Sequence, residues 1–430
     1  MSASTSRPGI GSRSTDFTSP LTIPGGEVAG TEIVRELPPE LALTVWQTLR
    51  SVLMWAAEHP AHRGELFEHS AMEQWELELL EGTFDPDLRF PLAVIVGELA
   101  DAARATPQAL ARACLCVTEW GLAHNAVRTA LGFTEAAALC WPDHPRYAWM
   151  AGRLLRAHGL LREAELWIKR SARVAGSMGD WEAQTLALNS LGNAFYEAGN
   201  YREAIRTLGE ALRVSRKHRL RHREGEILHD LSAVSVWGGD LARGESFAMA
   251  AHEIYRTGHH RLPALAHDVA VLWIKRGQFA RAFAVLKELP VFFDSPEDRI
   301  RVLASLARTA GACRDAPTFL QARSAAEALA ADHRVELRSA PALLEIGLGA
   351  WELGEWEVAQ NTLARAVRIA ETAREADVRV QAESALGAVR ERRSPENGRN
   401  PAEDRSAYAS DPVVSRFLVS LQTGEFSAAA

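Results

Sequence analysis

The chain has 430 residues, a hydrophobic share of 47%, a charged share of 24% and a formal net charge of −7. That length could hold two or three ordinary domains, and the composition is that of a soluble protein. The negative balance speaks against wholesale contact with nucleic-acid phosphates, and no stretch approaches the roughly 18 apolar residues of a membrane span.

Residues 1–36 are rich in Ser, Thr, Gly and Pro and contain no apolar run. They lack the apolar core of a secretory signal and read as a disordered tail, so a cytoplasmic location is expected. Strand punctuation is scarce and Ala, Leu, Glu and Arg dominate, so the chain is expected to be all-α. Folded sequence is expected from Pro38-Pro39, with an amphipathic helix over 39–58 stopped by Pro60. A second helix is expected over 62–82 and a third over 90–104. A hairpin over 107–139 follows, turning near Gly121, with Ala126, Ala130 and Phe133 behind it. Residues 37–144 thus form an all-helical N-terminal region, either worn repeats or a cap. The four cysteines, Cys114, Cys116, Cys140 and Cys313, have no disulfide or metal-ligand spacing and read as buried thiols.

From residue 145 a small side chain returns at Gly152, Gly192, Ser232, Ala270, Ala307, Gly347 and Gly387, at intervals of 37 to 40 residues. The clearest copy, LNSLGNAFYEAGNYREAIRTLGEALRVSRK at 188–217, reads as two amphipathic helices hinged at Gly199-Asn200. A turn glycine recurs at Gly159, Gly199, Gly239, Gly277 and Gly354, with Arg314 in its place once. Small residues recur in the second helix at Ala164, Ala204, Gly244, Ala282 and Ala359, and again at Ser171, Ala211, Ala251 and Ala366; Leu289 is the large exception. The copy at 300–336 departs from the pattern in its second helix; a three-residue insertion around Pro317 partly restores it, with Ala322 in register and Leu329 as large as Leu289 in the copy before. A half-length copy closes the array near Arg393. Residues 394–411 read as a polar linker, and 412–430 as a short amphipathic helix and tail.

This skeleton resembles the tetratricopeptide repeat in a long-helix variant of about 40 residues. The resemblance implies an all-α, right-handed superhelical solenoid of antiparallel helical hairpins over 145–393. It also implies that the first helix of each hairpin lines a concave groove that holds a peptide or a partner protein. Carried over by position, the groove residues are Arg146, Trp149, Arg153 and Arg156, then Asn189, Asn193 and Tyr196, then His229 and Trp237, His267 and Lys275, and Arg301 and Arg308. Amide side chains suit an extended backbone, Arg suits carboxylates, and Trp and Tyr give contact area at small entropic cost. Against this stands a plainer reading, in which the cations are a solvated face and Trp149 and Trp237 are packing residues.

Catalysis is not expected. Glu76, Glu78, Glu81, Asp85 and Asp87 read as solvated surface. His229-Asp230 and His267-Asp268 recur at matching repeat positions, but neighbours on a helix point about 100° apart, so neither pair forms a dyad or chelate. No phosphate loop, HExxH, GxSxG or GxGxxG appears, and no cofactor or metal is expected. The basic run Arg213–Arg223 reads as a helix end and solvated turn rather than a nucleic-acid contact. Trp46, Trp55, Trp75, Trp167, Trp181 and Trp356 are expected in the core. The expected function is a non-catalytic scaffold or adaptor. The alternative is a peptide-sensing regulator that changes shape on binding. Neither the partner nor the oligomeric state is legible.

Overall fold

The computed structural model describes residues 33–256, 258–331, 340–395 and 411–424. Residues 1–32 of the tail and most of the linker lie outside the described residues. All regular structure among the described residues is helical, and the chain divides into two compact units, residues 1–199 and 200–430.

In the first unit, α1 (Ile33–Glu36) and α2 (Pro39–Ala57) precede α3 (His69–Glu81) and α4 (Pro86–Ala100). Next come α5 (Pro107–Ala123), α6 (Val127–Cys140), α7 (Pro145–Ala157), α8 (Leu161–Met178) and α9 (Trp181–Glu197). Helical structure therefore begins ahead of Pro38. Ile33 is buried, and the Glu36 carboxylate accepts from the backbone N–H groups of Arg128 and Thr129 at 2.7 and 2.8 Å. The α6 N-terminus has no cap of its own, so a carboxylate more than 90 residues away satisfies its orphan donors.

The expected second helix is shorter, because Pro60–Glu65 forms a 3₁₀ turn. The expected third starts earlier, with the Asp85 side chain capping α4. The hairpin turn sits at His124–Ala126 rather than near Gly121. Gly121 lies inside α5 against α6, where a Cβ would meet Ala126 O at 3.0 Å and Ala130 N at 3.1 Å. Its role is close helix approach. Trp55 and Trp167 are fully buried, as expected of core residues, but Trp181 is exposed and Trp46, Trp75 and Trp356 are half-buried. Cys116 is exposed, whereas the other three free cysteines are buried.

The second unit holds α10 (Tyr201–Lys217), α11 (Arg221–Trp237), α12 (Leu241–Tyr255), α13 (Leu262–Lys275), α14 (Phe279–Leu286), α15 (Pro296–Ala312) and α16 (Ala316–Ala330). It continues with α17 (Ala340–Leu353), α18 (Trp356–Ala373), α19 (Ala376–Arg390) and α20 (Pro412–Thr423). Successive helices pack on one another, and first helices also touch first helices: α11 on α13, α13 on α15, α15 on α17.

The small-residue pattern is the reason they approach so closely. In the first unit, a Cβ on Gly152 would meet Ile168 Cγ1 at 2.4 Å. In the second, a Cβ on Gly347 would meet Leu363 Cγ at 2.7 Å, and Ser232 Oγ donates to Gly244 O at 2.8 Å across the α11–α12 hairpin. Ala322 is buried, as the insertion around Pro317 requires. Gly159 (φ +76°) and Gly354 (φ +82°) reverse the chain, and Arg314 adopts the same left-handed region at φ +57°.

One approach has no counterpart in the repeat pattern. A Cβ on Gly311 would lie 2.1 Å from Gly349 O, so α15 and α17 touch backbone to backbone.

Candidate binding face

One contact recurs between successive first helices, once in the first unit and twice in the second. The side chain at the fifth position of one copy reaches the sixth position of the next. In the first unit Trp149 Nε1 donates to Ser190 Oγ at 2.8 Å. In the second, His229 Nε2 donates to Asp268 Oδ2 at 2.9 Å, and His267 Nε2 lies 3.2 Å from Ser305 Oγ. A carboxylate only accepts, so the His229 proton shared with Asp268 sits on Nε2. His267 Nδ1 lies 3.7 Å from the other oxygen of the same carboxylate.

His229 and His267 are nearly buried, so these expected groove residues act first as joints between copies. Burial works against ionisation of Asp268, yet the two histidine hydrogen bonds outweigh it and hold the carboxyl well below the usual range. Asp268→Ala is therefore expected to cost about 1 kcal/mol, no more, because the carboxylate keeps over a third of its exposure. The folded-state pKa is depressed, so this contribution is present near neutrality and fades below about pH 4. Urea unfolding of both proteins at pH 7 and pH 3 checks it: the difference between them shrinks at the lower pH.

Around this joint lies a cavity of about 200 Å³ between α11, α13 and α15. It brings together three sequence-predicted residues, His229, His267 and Arg301, with Asp230, Asp268 and Phe293. Arg261, before α13, reaches Asp230 at 2.9 Å, and Arg301 pairs with Asp298 one turn along its own helix. Each cation thus has a carboxylate of its own, leaving Asp268 to the two histidines. Apolar contact comes from Phe293 and Val302.

The remaining predicted residues fall elsewhere. Trp237 is half-exposed with Lys275 Nζ 4.1 Å above its ring. Arg308 reaches Glu352 at 3.1 Å and Glu345 at 3.9 Å, at the edge of a larger cavity of about 600 Å³ that also involves Trp351 and Val380. In the first unit Arg153 stands 5.3 Å over Trp149, and Arg156 pairs with Glu197 at 2.6 Å. Arg146 is exposed; Asn189, Asn193 and Tyr196 are half-buried along α9.

Sequence reasoning missed Asp268 and Arg261. The signal was the repeated His-Asp pair, read within one helix instead of from one copy to the next. The basic run near Arg216 is partly neutralised: Arg216 pairs with Glu224 and Arg223 with Glu226, both at 2.8 Å. Asp85 is structural, accepting from Trp120 Nε1 at 2.7 Å. No helix among the described residues is long and apolar enough to cross a membrane.

Neither any protein-family model nor any curated protein matches the chain. Among solved structures it is similar to RapI in its apo form, at 9% identity and a TM-score of 0.51, covering 62% of this chain and 99% of that one. It is also similar to the signal transduction ATPase with numerous domains from Pyrococcus horikoshii, a protein with a tetratricopeptide repeat sensor. That match has 11% identity and a TM-score of 0.51, covering 91% of this chain and 66% of that one. The fold is that of a tetratricopeptide-like helical repeat.

Proposed function

For a chain of tetratricopeptide-like fold, we propose a non-catalytic protein-interaction module that holds a peptide segment on its first-helix face. The anchor is the cavity between α11, α13 and α15. The observation that carries this reading is the cavity itself, a concave opening with charged groups of both signs beside Phe293. Such a lining offers donors and acceptors to an extended backbone and a wall for one side chain. Within the same unit, Trp237 with Lys275, and Arg308, supply further contact positions.

The test pans the full chain against displayed random dodecapeptides and measures the recovered peptides against Arg301→Ala. Arg301 is exposed and pairs with Asp298 within its own turn, so its loss leaves the fold intact. Affinity is expected to fall about tenfold, the ordinary effect of removing one charged contact. Equal affinity for both proteins contradicts the reading.

A sensor reading uses the same face and adds a shift between two shapes. The likeness to a protein with a tetratricopeptide repeat sensor favours keeping it. Compaction on adding a recovered peptide, seen by small-angle scattering, distinguishes it from a rigid adaptor.

A further inference from the structure

The last described helix, α20, does not cap the last repeat. It packs instead on α13 and α14, with side-chain contacts to α12, leaving more than 120 residues of sequence between itself and its seat. Its apolar stripe, Val414, Phe417 and Leu421, is almost wholly buried. Phe417 meets the His252 ring edge-on at 4.6 Å and the fully buried Trp273 at 6.4 Å. Polar contacts fix direction and register. Asp411 caps the helix by accepting from Val413 N at 2.8 Å, and its other oxygen lies 3.0 Å from Arg281 Nε. His252 Nε2 lies 3.2 Å from Ser420 Oγ, and Arg416 reaches Glu253 at 3.6 Å.

Two physical facts make this a ligand-like contact. A helix of 12 residues is marginal alone in water, so its order depends on being seated. Its seat is made by helices remote in sequence, whose own packing follows the ordinary repeat pattern. The contact therefore has the form of an amphipathic helix lying in a groove: an acidic cap facing a buried arginine, and apolar anchors three, six and ten residues on.

We propose that the groove of α12, α13 and α14 is an exchange site for residues 411–424, filled from the same chain or from a second copy. In the exchanged form each copy's α20 lies in the other's groove, with the same contacts as in one chain. Exchanging an identical element costs little beyond association itself. The tethered helix competes at an effective concentration on the order of millimolar. The single-chain form therefore prevails in dilute solution, and the pair forms as concentration rises.

The test uses the full chain, a Phe417→Glu variant that unseats α20, and a fluorescent synthetic peptide of residues 411–424. Phe417 belongs to α20, so the repeats stay folded; a loss of helical ellipticity no larger than the 12 residues of α20 account for verifies this. The peptide is expected to bind Phe417→Glu at least tenfold more tightly than the wild-type chain, whose groove is filled. Sedimentation of the wild-type chain from about 5 μM to about 500 μM is expected to show a growing dimer fraction, absent from Phe417→Glu. Asp411→Ala, a milder change, is expected to lie between the two. Absence of peptide binding to Phe417→Glu overturns the proposal, as does equal binding to both proteins. So does a wild-type chain that stays monomeric throughout, or a dimer that survives in Phe417→Glu.

Discussion

Alanine at Gly311 is expected to lower the free energy of unfolding by about 3 kcal/mol, the upper part of the usual range for overpacking. The added methyl would sit 2.1 Å from Gly349 O and 2.6 Å from Gly349 Cα, so backbone must move rather than a side-chain tip. Neither α15 nor α17 can retreat without disturbing its own hairpin partner, α16 or α18. Alanine at Gly387 gives the opposite sign. A Cβ there meets nothing within 4 Å, because no following second helix lies over it among the described residues. Replacing this glycine in the last turn of α19 is expected to stabilise by about 0.5 kcal/mol, the lower part of the propensity difference. Both changes are read by urea unfolding followed through helical ellipticity. Equal and small effects at the two sites would contradict the packing described here.

The Glu135→Gln variant is expected to be more stable than the parent at pH 8 by about 3 kcal/mol, and no more stable at pH 4. Glu135 is buried on α6, where Trp167 Nε1 donates to it at 2.5 Å. Burial pushes its carboxyl up from 4.5 to about 7; the Trp167 hydrogen bond opposes this and the charge of Glu163 adds to it. The sign follows from the raised value. Below about pH 4.5 both states hold the proton and nothing is lost. Between there and pH 7 the unfolded chain gives up its proton first, so stability falls as pH rises and levels off above 7. Glutamine keeps an acceptor for the indole without the charge. Unfolding curves from pH 4 to pH 8 check this; a constant gap between the two proteins would refute it.

The small residues were legible because a helix hairpin leaves little room at its crossing, and that demand recurs in the full hairpins. Gly152 and Gly347 bear it out directly. Gly121 was misread as a turn because glycine serves both turns and close approaches, and only the partner helix tells them apart. Arg314 shows the converse, a turn made without glycine.

The site was half legible. Repeat positions placed His229, His267 and Arg301 on one face, and the structure puts them around one cavity. What a period cannot give is the register between copies. His229 bonds Asp268, 39 residues on, rather than its neighbour Asp230, which pairs with Arg261. That choice depends on how far one first helix slides along the next, set by packing such as the Gly311–Gly349 contact. The seat of α20 was illegible for the same reason: its amphipathic stripe was visible, its acceptor was not.

Anchoring of a peptide at the α11–α13–α15 cavity is tested most directly by amide hydrogen exchange of the full chain with and without a dodecapeptide recovered by panning. Slowed exchange is expected at residues 226–234, 261–270 and 296–304. Protection confined to α12 and α14, or none under saturating peptide, would contradict it.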